Sequence, residues 1–185
     1  MKTRYIIIFI LLCITSVSLA QNRFFTRTGT IRFFSETPVE NIEAINNQSS
    51  SVFDIESGEI AVSAQMKGFE FEKALMQEHF NENYVESEKY PTATFKGSIK
   101  NYDKSSFKAD ETYTVEVEGD LTMHGVTKRV NTPVTIIWGQ NNIKASSSFN
   151  VKVADFDIKI PKAVIDNIAE SILVNVDFNL EPYNK

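Results

Sequence analysis

From Thr112 to Met123 the residues alternate almost without a break. Tyr113, Val115, Val117, Gly119, Leu121 and Met123 share one parity, and Thr112, Thr114, Glu116, Glu118, Asp120 and Thr122 the other. A strand sends successive side chains to opposite faces, so this pattern specifies a strand with one buried and one wet side. His124-Gly125 ends the run, and glycine supplies the positive φ that a tight two-residue hairpin needs. Val126, Val130, Val134, Ile136 and Trp138 bring a second strand back, with Lys128 and Thr132 interrupting its apolar face. A lone hairpin with a greasy face does not stand in water, so the rest of the chain must cover it.

Further alternating runs supply that cover. Strands are expected at 24–34, 51–55, 58–67, 92–100, 111–123, 126–138, 143–151 and 171–181. Val39, Ile42 and Ile45 recur at helical spacing and predict a short helical turn, followed by a polar loop over 46–51. Ala74 to Phe80 predicts a helix of about two to three turns. Residues 155–160 read as a short extended piece, and 163–169 as helical turns beginning near Pro161. No run is apolar on both faces, which argues against a buried parallel sheet. One-sided antiparallel strands either close into a barrel or stack as a sandwich. Alternation does not separate the two, but the length of the central strands favours an all-β barrel.

The chain opens with Lys2 and Arg4, an apolar run from Tyr5 to Ile14 too short to span a bilayer, and the small-residue site Ser18-Leu19-Ala20. Residues 1–20 are therefore expected to be a signal peptide, with the domain covering 21–185 and residing in the periplasm or outside the cell. Cys13, the single cysteine, would leave with that segment, so disulfides and thiolate chemistry are not expected in the mature domain. Two cations and no acids would leave as well, taking the formal charge from −5 to −7. No basic stripe appears, which argues against a nucleic-acid partner.

Two segments carry a resemblance. Gly119-Asp120-Leu121-Thr122-Met123-His124-Gly125-Val126-Thr127-Lys128 resembles the G-x-L-T-h-H-G-V-T-K signature of the YceI-like family, and Tyr90-Pro91-Thr92-Ala93-Thr94-Phe95 resembles its Y-P-x-A-x-F segment. The similarity covers roughly the whole mature chain and is strongest from Phe69 to Pro133. It implies an eight-stranded antiparallel, lipocalin-like barrel in the periplasm that holds a long polyisoprenoid lipid.

Catalytic motifs are scarce. The two histidines, His79 and His124, form no metal-binding pair, and there is no nucleophile elbow or glycine-rich phosphate loop. His124 reads as a tolerated turn residue, and Asp155 and Asp157 as solvated edge charges. No catalytic residue, metal or cofactor is expected. The inward set is more informative. Phe95, Tyr113, Val115, Val117, Gly119, Leu121, Met123, Trp138, Phe149 and Phe178 are the candidate ligand-binding residues of the barrel interior. Gly119 in particular is expected to leave room for a lipid tail. An eight-stranded barrel lies at the size where side chains fill the interior or leave space for one small ligand. An apolar lining selects a polyisoprenoid or quinone-like lipid, with transient membrane contact left open. Lys96, Lys128, Arg129 and Lys159 are candidates for its head group. Two other readings stand beside this one, an enzyme acting on an isoprenoid or other apolar substrate, and a packed, ligand-free interaction module. Nothing in the sequence sets the oligomeric state.

Overall fold

The computed structural model describes residues 22–183; the expected signal peptide lies outside them. The strands are β1 (Arg23–Glu36), β2 (Asn41–Asp54), β3 (Glu59–Gln65), β4 (Glu70–Phe71), β5 (Thr92–Ile99), β6 (Glu111–Met123), β7 (Val126–Trp138), β8 (Ile143–Lys152) and β9 (Ser171–Pro182). Each pairs antiparallel with its neighbours in the order β1-β9-β8-β7-β6-β5-β3-β2, and a β1–β2 pairing closes the ring. The two-residue β4 adds to β2 at Ala44 and Ile45, outside the eight-stranded barrel. Closure removes the exposed sheet edges that an open sheet of such strands would carry.

The β6–β7 hairpin forms as its sequence requires. Thirteen residues of each strand pair from Glu111↔Trp138 to Met123↔Val126. His124 and Gly125 take φ of 52° and 75° in the loop, the left-handed pair that matches the twist of the flanking strands.

The largest departure from expectation is β2. Residues 39–51, expected to form a helical turn and a loop, belong instead to a turn and a fourteen-residue strand. Ile42 faces the interior, whereas Val39 lies in the preceding turn and is 63% exposed, so their spacing reflects no helix. The polar stretch runs through the sheet because its side chains are satisfied there. Asn46 is fully buried; its amide donates to the Gln65 carbonyl (2.9 Å), and its oxygen accepts from Gln48 N–H (2.8 Å) and Ser49 Oγ (3.3 Å). Register shifts between β1 and β2 around Gly29 and Asn46 accommodate this arrangement. A buried polar side chain that keeps its hydrogen bonds escapes most of the desolvation cost.

Smaller differences lie between strands. The expected helix is α1 (Ala74–His79), which continues as one wider turn from Phe80 to Tyr84. Residues 153–156 form a 3-10 turn that ends at Asp157, with φ of 56°, rather than an extended piece. Residues 162–167 form the expected helical turn after Pro161.

The two segments that carried the family resemblance meet in space. The Tyr90 ring lies edge-on to His124, with centroids 4.7 Å apart, and covers Gly125, where an added Cβ would come within 2.7 Å of the ring. The Phe95 ring covers Gly97 and Gly119, which pair directly across β5 and β6. Each aromatic residue of the first segment thus fills space left by a glycine of the second, an arrangement known to support glycine in strands.

Candidate functional site

The barrel encloses an apolar cavity of about 390 Å³, within the ~300–1,000 Å³ range of ligand pockets. One end of the barrel is stoppered. There Phe53, Tyr102, Phe107, Tyr113 and Trp138 stack edge-to-face and tilted, with centroids 4.7–6.2 Å apart. The Tyr102 hydroxyl donates to the Ile55 carbonyl at 2.7 Å, and burial pushes its pKa up to about 12. The Tyr113 hydroxyl donates to Glu111 and accepts from Lys108 N–H.

The ten expected interior residues therefore divide. Phe95, Val117, Leu121, Met123, Phe149 and Phe178 line the cavity. Tyr113 and Trp138 belong to the stopper, and Val115 packs in the lower core without reaching the cavity. Gly119 is buried, but the expectation that it leaves room for a ligand is corrected. A Cβ there would meet Gly97 Cα and Lys96 O at 2.5 Å and the Phe95 ring at 2.6 Å, so the space is already filled. The free volume adjoins other small residues, among them Ala64, Ala93 and Ala145.

The opposite end is covered by three segments that one carboxylate brings together. Glu40, in the β1–β2 turn, accepts from Lys73 Nζ at 2.9 Å, just before α1, and from Asn167 Nδ2 at 3.2 Å, in the 162–167 turn. The hydrogen bond from Lys73, followed by that from Asn167, holds the Glu40 carboxyl below the ordinary glutamate range. Ser35, buried beside this mouth, accepts from Ala169 N–H at 2.8 Å. Ser35, Glu40, His79 and Asn167 all line the cavity, and Tyr84, also in the lining, has its hydroxyl pKa raised by burial.

A second tie lies at the same end. His124 Nδ1 is 2.9 Å from the Phe156 carbonyl oxygen, and Nε2 is 2.8 Å from Glu86 Oε2. The hairpin tip thereby fastens the 85–90 loop and the 153–156 turn. The turn role read from the sequence is thus joined by a bridging one. Lys96, Lys128, Arg129 and Lys159 are all exposed and none lines the cavity; Arg129 pairs with Glu118 and Asp120 on the outer wall. Among the described residues, no three His, Cys, Asp or Glu side chains gather to hold a metal ion, and no helix is long and apolar enough to cross a membrane.

Sequence reasoning missed Ser35, Glu40 and Asn167. The Glu40–Asn167 contact spans 127 residues, and neither residue stands in a motif. Glu40 fell in the segment expected to be a helical turn, so no sequence signal placed it at the end of the barrel.

The model of the YceI-like domain matches residues 16–180 of this chain. The chain belongs to the YceI-like family. A UPF0312 protein of Vibrio parahaemolyticus is 30% identical over 109 residues, covering 56% of this chain and 50% of that protein. A UPF0312 protein of Pseudomonas putida is 32% identical over 98 residues, covering 50% of this chain and 47% of its own length. The chain thus spans about half the length of these curated relatives. Among solved structures, a polyisoprenoid binding domain from Saccharophagus degradans superposes with a TM-score of 0.77 at 15% identity, covering 88% of this chain and 99% of that domain. BcnA of Burkholderia cenocepacia superposes with a TM-score of 0.67 at 16% identity, covering 82% and 95% of the two chains. Both likenesses support the eight-stranded antiparallel barrel.

Proposed function

We propose that this YceI-like barrel binds a long polyisoprenoid or related amphiphilic lipid, with the tail in the cavity and the polar end at the mouth. The carrying observation is an apolar cavity closed at one end by aromatic rings and bordered at the other by Ser35, Glu40 and Asn167. Burying methylene groups contributes about 0.8 kcal/mol each before the costs of ordering, which suits a long hydrocarbon tail. The polyisoprenoid binding domain from Saccharophagus degradans shares the fold and supports the ligand class. The protein acts as a binding or carrier protein, without turnover. Signal-peptide cleavage after Ala20 exports it to the periplasm or beyond. Val39, Leu75 and Ile165 are 63%, 60% and 49% exposed. Each lies within two residues of a member of the Glu40–Lys73–Asn167 contact, so this end presents apolar side chains for transient contact with a bilayer.

The test is mass spectrometry of a solvent extract from the purified protein, compared with Ala145→Phe. Ala145 sits between Ile136 and Phe178 in register and lines the cavity, so a ring there takes ligand volume. Ser148→Phe, on an exposed position of the same strand, is the control. The parent and control should carry lipid that Ala145→Phe lacks. A lipid-free parent that takes up no added polyisoprenoid would refute the reading.

A further inference from the structure

We propose that the mouth selects a lipid whose polar end is an uncharged oxygen group, a hydroxyl or a carbonyl, over one that ends in a phosphate. This rests on the lipid-binding reading above and adds the chemistry of the head. Among the described residues that line the cavity there is no lysine or arginine, and Glu40 is the sole carboxylate. Lys73, a cation beside the mouth, is already paired with Glu40. Because its hydrogen bonds hold Glu40 below the usual range, it is ionised at neutral pH. A phosphate placed against Glu40 would lose water, meet no lysine or arginine in the cavity lining and lie beside a like charge. Each of these is unfavourable where screening is incomplete.

The same mouth provides partners for a neutral oxygen. Ser35 is 3% exposed and lines the cavity. Its oxygen accepts from Ala169 N–H, and among the described residues its own O–H donates to no neighbour. A hydroxyl is both donor and acceptor, so Ser35 retains a donor for a ligand oxygen. Asn167, two residues before Ala169, spends an amide N–H on Glu40 and keeps its carbonyl oxygen for a hydroxyl donor. A lipid alcohol can accept from Ser35 and donate to Asn167, while a lipid carbonyl can accept from Ser35. Neither head requires a counter-ion.

The experiment uses purified protein stripped of lipid and three probes of matched tail length: a polyprenol, an isoprenoid quinone and the corresponding polyprenyl monophosphate. Each is titrated in competition for the cavity. The alcohol and the quinone should bind roughly tenfold or more tightly than the monophosphate. His79→Lys places a cation on an exposed residue of the mouth lining. It should raise monophosphate affinity relative to polyprenol without requiring any core rearrangement. If the monophosphate binds the parent as well as the polyprenol, the head-group inference fails while the lipid-binding reading stands. A ratio unmoved in His79→Lys likewise overturns it. If none of the three probes binds, the lipid-binding reading itself has failed and takes this inference with it.

Discussion

The ring of Phe95 occupies the place where a side chain on Gly119 would stand, with Phe95 Cζ 2.6 Å from an ideal Cβ. On the other side of that Cβ lie Gly97 Cα and the Lys96 carbonyl oxygen, each at 2.5 Å. Backbone atoms yield less readily than the tip of a flexible side chain. Gly119→Ala should therefore destabilise the barrel by about 1–3 kcal/mol, the usual cost of overpacking. Thermal or urea unfolding of stripped protein measures it. A variant as stable as the parent would show that β5 and β6 separate without cost.

Glu40 makes the cover of the mouth sensitive to acid. Its folded carboxyl is held below the ordinary glutamate value of 4.5, chiefly by the Lys73 hydrogen bond. A depressed folded pKa means that the stabilisation is present above the unfolded value and is lost as pH falls through the folded one. The Asn167 side-chain amide should thus shift in NMR spectra with a midpoint below 4.5. Glu40→Gln should abolish that titration. A midpoint at or above the ordinary value in the parent would contradict the hydrogen-bond pattern.

His124 joins segments that are far apart in sequence. His124→Asn keeps a side chain suited to positive φ but is too short to span from Phe156 to Glu86. Losing two partly buried contacts should cost about 1–3 kcal/mol. Unfolding measurements give the cost. Amide shifts should move in residues 85–90 and 153–157 while those near Trp138 stay in place. A double-mutant cycle with Glu86→Gln isolates the His124–Glu86 part.

Tyr102 should set the alkaline limit of the stopper. Its folded pKa of about 12 lies above the ordinary value of 10.0, with burial the main cause. The associated stabilisation is complete below 10 and lost as pH rises toward 12. Ultraviolet titration should show a component ionising near pH 12 that disappears in Tyr102→Phe, while the raised titrations of Tyr84 and Tyr113 persist. That variant also leaves the Ile55 carbonyl without its donor, at a cost of about 1 kcal/mol at neutral pH.

Most of the barrel wall was legible because its strands obey one rule. β5 to β9 alternate over eight to thirteen residues, and burial of one face makes that alternation necessary. β2 broke the rule. It buries Asn46, Ser49 and Ser51, residue types that elsewhere mark loops, and its bulges disturb the period. The cavity was only partly legible for a related reason. Parity tells which side chains face inward but not how far along the barrel each one sits. Tyr113 and Trp138 face in at the stoppered end, where there is no cavity, and the volume that Gly119 was expected to leave is taken by a neighbour's ring. The mouth was invisible because Glu40, Lys73 and Asn167 meet through loops, and Ser35, near the end of β1, meets Ala169 in another, so no periodicity links them.

The aromatic stopper also dictates traffic. A tube open at both ends lets a chain thread through, entering by one end and leaving by the other. Here the tail of the lipid proposed above would enter first and back out last along the same path. Exchange is then a reversal, with each further isoprene unit adding apolar surface to be drawn past the α1 and 162–167 segments. Dwell time should lengthen with tail length, and the receiving phase must come to the mouth, since aromatic rings fill the other end at Trp138.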